Sequence, residues 1–126
     1  MDTIVTGVDF VSVPTRDLET AAAFYRETLG LRQSRYNPER NSAEYEPGDV
    51  TISVWRPEGM GIEFKPNTNP IALHVDDVEA ARAELESRGV TFQGATLDTG
   101  VCHMAFFADS DGNPLMLHHR YAPKES

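Results

Sequence analysis

Cysteine and tryptophan occur once each among the 126 residues, and basic residues are scarce, with 11 Lys and Arg against 20 Asp and Glu. The lone Cys102 cannot close an intramolecular disulfide, so a buried core has to hold the fold. The formal net charge of -9 leaves no basic footprint for a phosphate backbone, which argues against a nucleic-acid partner. An acidic surface serves solubility, or it creates a field that favours cationic or neutral ligands; the two differ in the salt dependence of binding. No apolar run approaches the roughly 20 residues needed to span a bilayer. The opening Met1-Asp-Thr-Ile-Val-Thr-Gly7 also lacks the basic and apolar regions of a secretory signal. The expectation is a soluble, cytoplasmic chain without a membrane partner.

What the chain does contain is an internal repeat. Phe10-Val-Ser-Val-Pro-Thr-Arg-Asp17-Leu-Glu19-Thr-Ala21-Ala-Ala23 lies over Pro70-Ile-Ala-Leu-His-Val-Asp-Asp77-Val-Glu79-Ala-Ala81-Arg-Ala83. The copies close at Leu29-Gly30-Leu31 and Arg88-Gly89-Val90, so the second is one residue shorter before its glycine. A repeat of this length is one supersecondary unit used twice, neither copy able to bury its apolar face alone. Length predicts a single domain over 1–126, with unit one at about 5–58, a linker at about 59–69, unit two at about 70–120 and a loose tail at 121–126.

Within each copy, a period of two gives way to a period near 3.6. Val11 and Val13 alternate with Ser12 and Pro14 as in a half-buried strand. Asp17 then caps a helix whose stripe is Leu18, Ala21, Ala22, Tyr25 and Leu29, ended by Gly30. Ile71, Leu73 and Val75 alternate in the second copy, Asp77 caps, and Val78, Ala81 and Leu85 form the stripe that Gly89 stops. After the first helix, the polar stretch 36–42 reads as a turn between two short strands, and 50–55 as a third strand. After the second, the strands read 91–95, 101–107 and 114–118, the last two joined by Asp109-Ser-Asp-Gly-Asn113. Each half is then βαβββ.

Such a duplicated unit, with Arg16-Asp17-Leu18-Glu19 before Phe24-Tyr25-Arg26-Glu27-Thr28-Leu29-Gly30-Leu31, Val75-Asp76-Asp77-Val78 in the second copy, and Asp109-Ser-Asp-Gly-Asn-Pro-Leu115 near the end, resembles the glyoxalase, bleomycin-resistance and extradiol-dioxygenase (vicinal oxygen chelate) superfamily. The resemblance implies an α+β fold in which two βαβββ repeats form cupped half-barrel sheets around a cleft. That cleft often holds a divalent metal on His, Gln or Glu. The positions corresponding to the family's ligands are Phe10, Ser53, Pro70 and Met116, which offer no donor set for such an ion, so neither metal nor cofactor is expected.

Strand alternation selects the residues that would line the cleft: Phe10, Ser12, Ser53 and Trp55 from the first unit, and His74, Met104, Phe106, Met116 and His118 from the second. Most of this wall is apolar or aromatic, as in a small-molecule pocket. Trp55 is either a stacking platform or a large core side chain. His74 and His118 are the candidate catalytic residues, as a metal pair or a proton shuttle, unless they serve only as neutral hydrogen-bonding rings. His103 and His119 should point to the opposite face, and Cys102 reads as packing.

The resemblance and the lining together predict a small-molecule-binding protein that lacks the usual metal ligands, sequesters an antibiotic or another cationic or aromatic compound, and forms a homodimer. The alternative is a lyase, isomerase or dioxygenase with an atypical metal site or metal-free histidine chemistry.

Overall fold

Asp17 and Asp77 begin the two helices through the same local chemistry. Asp17 Oδ1 accepts the backbone N–H groups of Glu19 and Thr20, at 3.0 and 3.4 Å, and Asp77 Oδ1 accepts that of Ala80 at 3.0 Å. In the computed structural model, which describes residues 3–124, the element order is β1 (Phe10–Pro14), α1 (Leu18–Ala22), a π-helical segment (Ala23–Thr28), β2 (Arg32–Asn37), β3 (Ser42–Glu46), β4 (Thr51–Trp55), β5 (Ile71–His74), α2 (Val78–Ser87), β6 (Gln93–Asp98), β7 (Cys102–Ala108) and β8 (Pro114–Arg120). Short 3-10 turns cover Pro38–Arg40 and Pro57–Met60.

The chain divides into two compact units, Met1–Lys65 and Pro66–Ser126, and each contains one four-stranded mixed sheet. The strand order is β1-β4-β3-β2 in the first and β5-β8-β7-β6 in the second, the same topology twice. In both, the outer strand before the helix runs parallel to the last strand of its unit, and the other pairs are antiparallel.

Alternation along the strands builds each core. Val13, Ala43, Tyr45, Ile52 and Val54 are buried on one face of the first sheet, where Tyr25 stacks on Tyr45 with ring centroids 5.6 Å apart. Burial pushes the Tyr45 phenol up to about 12, and its hydroxyl lies 2.9 Å from Gln33 Oε1. On the second sheet, Ala105, Phe107, Leu115 and Leu117 are buried with Val78 and Leu85 of α2, and Phe92 packs on Phe107 at 5.0 Å.

The first helix departs from the expected single α-helix between Asp17 and Gly30. From Ala23 it widens: the N–H of Leu29 bonds to the carbonyl of Phe24, and that of Leu31 to Tyr25. The physical reason lies in the repeat. Gly30 and Gly89 both adopt the left-handed conformation, with φ of 72° and 93°, and Tyr25 and Leu85 both point into their cores. The first copy has one more residue between its core anchor and its terminating glycine, and the wider π turn takes it up while both anchors stay in place.

Three further readings differ in the structure. The strand expected at 91–95 is Gln93–Asp98, because Phe92 turns into the core and the ladder begins only after it; the Arg82 guanidinium covers that ring at 4.9 Å and donates to the Gly94 carbonyl at 2.9 Å. The tail expected to be loose is tied at its start. The N–H groups of Tyr121 and Ala122 bond to the Val101 carbonyl, and the Tyr121 hydroxyl donates to Asp98 Oδ1 at 2.7 Å. Residues 125–126 of that tail lie outside the described residues. Part of the stretch read as a linker belongs to the first unit, where Phe64 is buried under the Arg16 guanidinium, 4.2 Å from the ring centroid.

The Asp109–Asn113 turn between β7 and β8 is closed by its own side chains. Asp109 Oδ1 accepts the N–H groups of Asp111 and Asn113, both at 2.9 Å, and Asp109 Oδ2 accepts Asn113 Nδ2 at 2.9 Å. Asn113 Oδ1 in turn accepts the Asn67 N–H at 2.8 Å, which pins the chain entering the second unit. Gly112, with φ of 86°, supplies the left-handed residue of the turn.

Candidate functional site

The face of each sheet opposite its buried core carries the residues that could meet a ligand. On the first sheet, register places Ser12 opposite Ser53 and Phe10 opposite Thr51 between β1 and β4. Ser53 lies opposite Glu44, and Trp55 opposite Ser42, between β4 and β3. Phe10 is well exposed at the start of its strand, Ser12 is exposed, and Ser53 and Trp55 are half-buried. Trp55 therefore does not belong to the core of its unit, and its ring stands at the end of the polar row on β4.

This first face includes carboxylates that sequence reasoning left out. Ser42, Glu44 and Glu46 alternate with the buried Ala43 and Tyr45, which puts both glutamates on the open side. Glu46 Oε2 accepts the Ser34 hydroxyl at 2.5 Å and Oε1 the Thr51 hydroxyl at 2.7 Å. Those bonds, Ser34 first and Thr51 second, hold its carboxyl below the usual carboxylate range. The signal was present in Ser-Ala-Glu-Tyr-Glu, a period of two with apolar residues inward.

On the second sheet the open face reads in rows. Met116 sits between Ala72 and Phe106, and Phe106 lies opposite Gln93. His118 sits between His74 and Met104, and Met104 lies opposite Leu97. The structure thus brings His74, Met104, Phe106, Met116 and His118 onto one surface of the second unit, and Phe10, Ser12, Ser53 and Trp55 onto one surface of the first. The two surfaces differ in chemistry: hydroxyls and carboxylates dominate the first, thioethers, an aromatic ring and imidazoles the second.

The histidines are arranged less simply than alternation predicts. His74 Nε2 is 3.3 Å from Asp76 Oδ1 in an exposed pair, and its ring lies 5.9 Å from that of His119. His119, which alternation puts on the other side of β8 from His118, is half-buried with its Nδ1 atom enclosed. The two rings approach at the end of β5, of which His74 is the last residue. His103 is engaged elsewhere, its Nε2 3.5 Å from Asp98 Oδ2 and its ring 4.9 Å from Tyr121. The Gly100 N–H and the Tyr121 hydroxyl hold the Asp98 carboxyl below its usual range, and Asp98 in turn raises the Tyr121 phenol. Cys102 is buried and forms no pair with His103.

The donor set does not fit a metal at the positions the resemblance implies. Phe10 and Pro70 carry no donor, Ser53 offers one neutral hydroxyl, and Met116 is a soft thioether among apolar neighbours. Among the described residues no three His, Cys, Asp or Glu side chains come together in a group that could hold a metal ion. Nor is any helix among them long and apolar enough to cross a membrane.

The chain is similar over most of its length to several proteins. A curated relative, the uncharacterized protein YaeR of Escherichia coli (strain K12), is 29% identical and covers 88% of this chain and 94% of its own. The crystal structure of TnmS3, an antibiotic binding protein from Streptomyces sp. CB03234, superposes with a TM-score of 0.78 at 28% identity, covering 94% of this chain and 99% of that one. A glyoxalase/bleomycin resistance protein from the same Streptomyces strain superposes with a TM-score of 0.71 at 29% identity, covering 90% of this chain and all (100%) of that one. The sequence profile of the Glyoxalase/Bleomycin resistance protein/Dioxygenase superfamily matches residues 7–117, and with the twice-used βαβββ topology this establishes that the chain belongs to that superfamily.

Proposed function

We propose that this chain binds a small molecule on an open sheet face without help from a metal, and that sequestration of an aromatic, cationic antibiotic-like compound is its activity. The observation that carries the reading is the substitution of chemistry at the four family ligand positions. Phe10, Pro70 and Met116 put apolar side chains, and Ser53 a neutral hydroxyl, where the family carries a polar metal set. Met104, Phe106 and Met116 form a contiguous thioether and aromatic surface, which adapts to flat ligands at little entropic cost. On the first sheet, Trp55 offers a stacking ring, and the Glu44 and Glu46 carboxylates on the same open face favour a guest that carries positive charge. The similarity to TnmS3, itself an antibiotic binding protein, supports the same class of activity.

The test is a thermal-shift titration with bleomycin-type and other aromatic antibiotics, in parallel with and without a chelator. A guest that binds only the folded chain at a hundredfold excess over its Kd stabilises it by about 2.7 kcal/mol. The expected result is an equal shift in both arms, with the antibiotic recovered unchanged. A shift that vanishes with chelator would overturn the metal-free reading.

A second reading, acid–base catalysis, draws on the His74–Asp76 pair beside His118, since a carboxylate 3.3 Å from an imidazole orients it as a base. It requires product formation that His74→Gln abolishes while ligand binding persists.

A further inference from the structure

His74, the last residue of β5, and His119, one residue before the end of β8, bring their rings to 5.9 Å between centroids at an interplanar angle of 46°. His119 Nδ1 is enclosed and has no hydrogen-bond partner among the described residues. A buried polar atom in that state carries a desolvation cost that a ligand would remove. His74 has a carboxylate behind one ring nitrogen, with Asp76 Oδ1 3.3 Å from its Nε2. In the tautomer that donates Nε2–H to this carboxylate, His74 keeps its Nδ1 lone pair for another partner. A carboxylate behind an imidazole is the usual outer support of a metal-ligating histidine.

We propose that His74 and His119 hold one borderline divalent ion, zinc(II), nickel(II) or copper(II), between their Nδ1 atoms. With a metal–nitrogen bond of about 2.0 Å, two imidazole centroids stand about 5.2 Å apart across a tetrahedral angle and about 6.3 Å apart across a linear one. The observed 5.9 Å lies between the two, so closure on the ion takes only a small rotation of His74, whose side chain is 70% exposed. Imidazole nitrogen selects ions of this class over calcium and magnesium, which prefer oxygen. The net charge of -9 and the Asp76 carboxylate favour a cation here. Two side chains ligate rather than three, in keeping with the lack of any three-residue group among the described residues, so water completes the shell and the ion exchanges. The site uses none of Phe10, Ser53, Pro70 and Met116, and it is independent of the ligand reading, which rests on Trp55, the glutamates and the thioethers of the open faces.

Titration of zinc(II) and nickel(II) into the full chain against a chromophoric chelator, together with electron paramagnetic resonance of the copper(II) form, tests it. The expected result is one ion per chain, and for copper a nitrogen splitting from two imidazoles. His74→Gln and His119→Gln should each weaken binding by about tenfold or more, and Asp76→Asn by about tenfold with a shifted copper spectrum, because it no longer orients His74. His103→Gln should change nothing, since that ring is engaged by Asp98 and Tyr121. His74 and Asp76 are exposed, so their variants keep the fold and probe the site even where His119→Gln disturbs packing. Binding that survives His74→Gln, a copper spectrum with a single nitrogen, or an equal loss in His103→Gln would overturn the inference and leave an adventitious ion only.

Discussion

Asn113→Ala should cost this protein more than any surface change, although it removes only one small amide. The side chain is 1% exposed, and beside it stands the Asp109 carboxylate, 8% exposed. The substitution takes from Asp109 Oδ2 its amide donor at 2.9 Å and from the Asn67 N–H its acceptor at 2.8 Å. Stranding a buried polar group costs about 1–3 kcal/mol, more when it is charged, so the two losses together amount to about 2–5 kcal/mol. For a chain of this size each kcal/mol moves Tm by about 4 °C, which gives a fall of roughly 8–20 °C. Asn113→Asp keeps the shape but turns an acceptor toward Asp109 in place of the donor, and should be at least as damaging at neutral pH. Ser110→Ala, in the same turn but exposed, should stay within about 0.5 kcal/mol. Urea unfolding of the four proteins decides the matter. A loss below about 1 kcal/mol for Asn113→Ala would mean that the carboxylate and the Asn67 N–H are satisfied without it, and that this network does not hold the turn.

Tyr45 makes stability depend on alkaline pH. Its phenol is raised from 10.0 to about 12 in the folded chain, so the folded state binds the proton more tightly than the unfolded one. That contribution is fully present below about pH 10 and is lost as pH rises toward about 12. Tyr45→Phe should flatten the fall of unfolding free energy across this window in a Tyr121→Phe background, which removes the other raised phenol, and an unchanged slope would refute the assignment. Deleting Glu27, an exposed residue of the π-helical segment, should convert Ala23–Thr28 to ordinary α-helix and leave a folded chain, since it restores the spacing of the second copy. Loss of folding on that deletion, seen by circular dichroism, would show that the wide turn is required rather than accommodated.

The parts of the fold that depend on local chemistry were readable from the chain. Asp17 and Asp77 cap because an aspartate one residue before an apolar stripe has free N–H groups within reach, and the Val11/Val13 and Leu115/Leu117 alternations assign faces without knowledge of any partner. The one-residue difference between the copies was visible too. How it is absorbed was not, because widening the helix rather than shifting Tyr25 is decided by packing against Tyr45. Tyr121 escaped sequence reasoning for a similar reason: its partner Asp98, at the end of β6, is far away in sequence and only folding brings them together. Glu44 and Glu46 were missed although their alternation with Ala43 and Tyr45 was there to read. The approach of the His74 and His119 rings to 5.9 Å has no signature in strand parity.

Trp55 is the only tryptophan in the chain, so its emission reports on one place, the end of β4 on the open face of the first sheet. The most direct test of metal-free ligand binding follows that emission while a stabilising aromatic, cationic antibiotic is titrated into chelator-treated protein, in the parent chain and in Glu44→Lys. The proposal predicts saturable quenching at one equivalent per chain, with a midpoint matching the thermal shift. It also predicts weaker binding when Glu44, opposite Ser53 on the same face as Trp55, becomes Lys. Binding that leaves Trp55 emission unchanged, or that appears only after a divalent metal is restored, would contradict it.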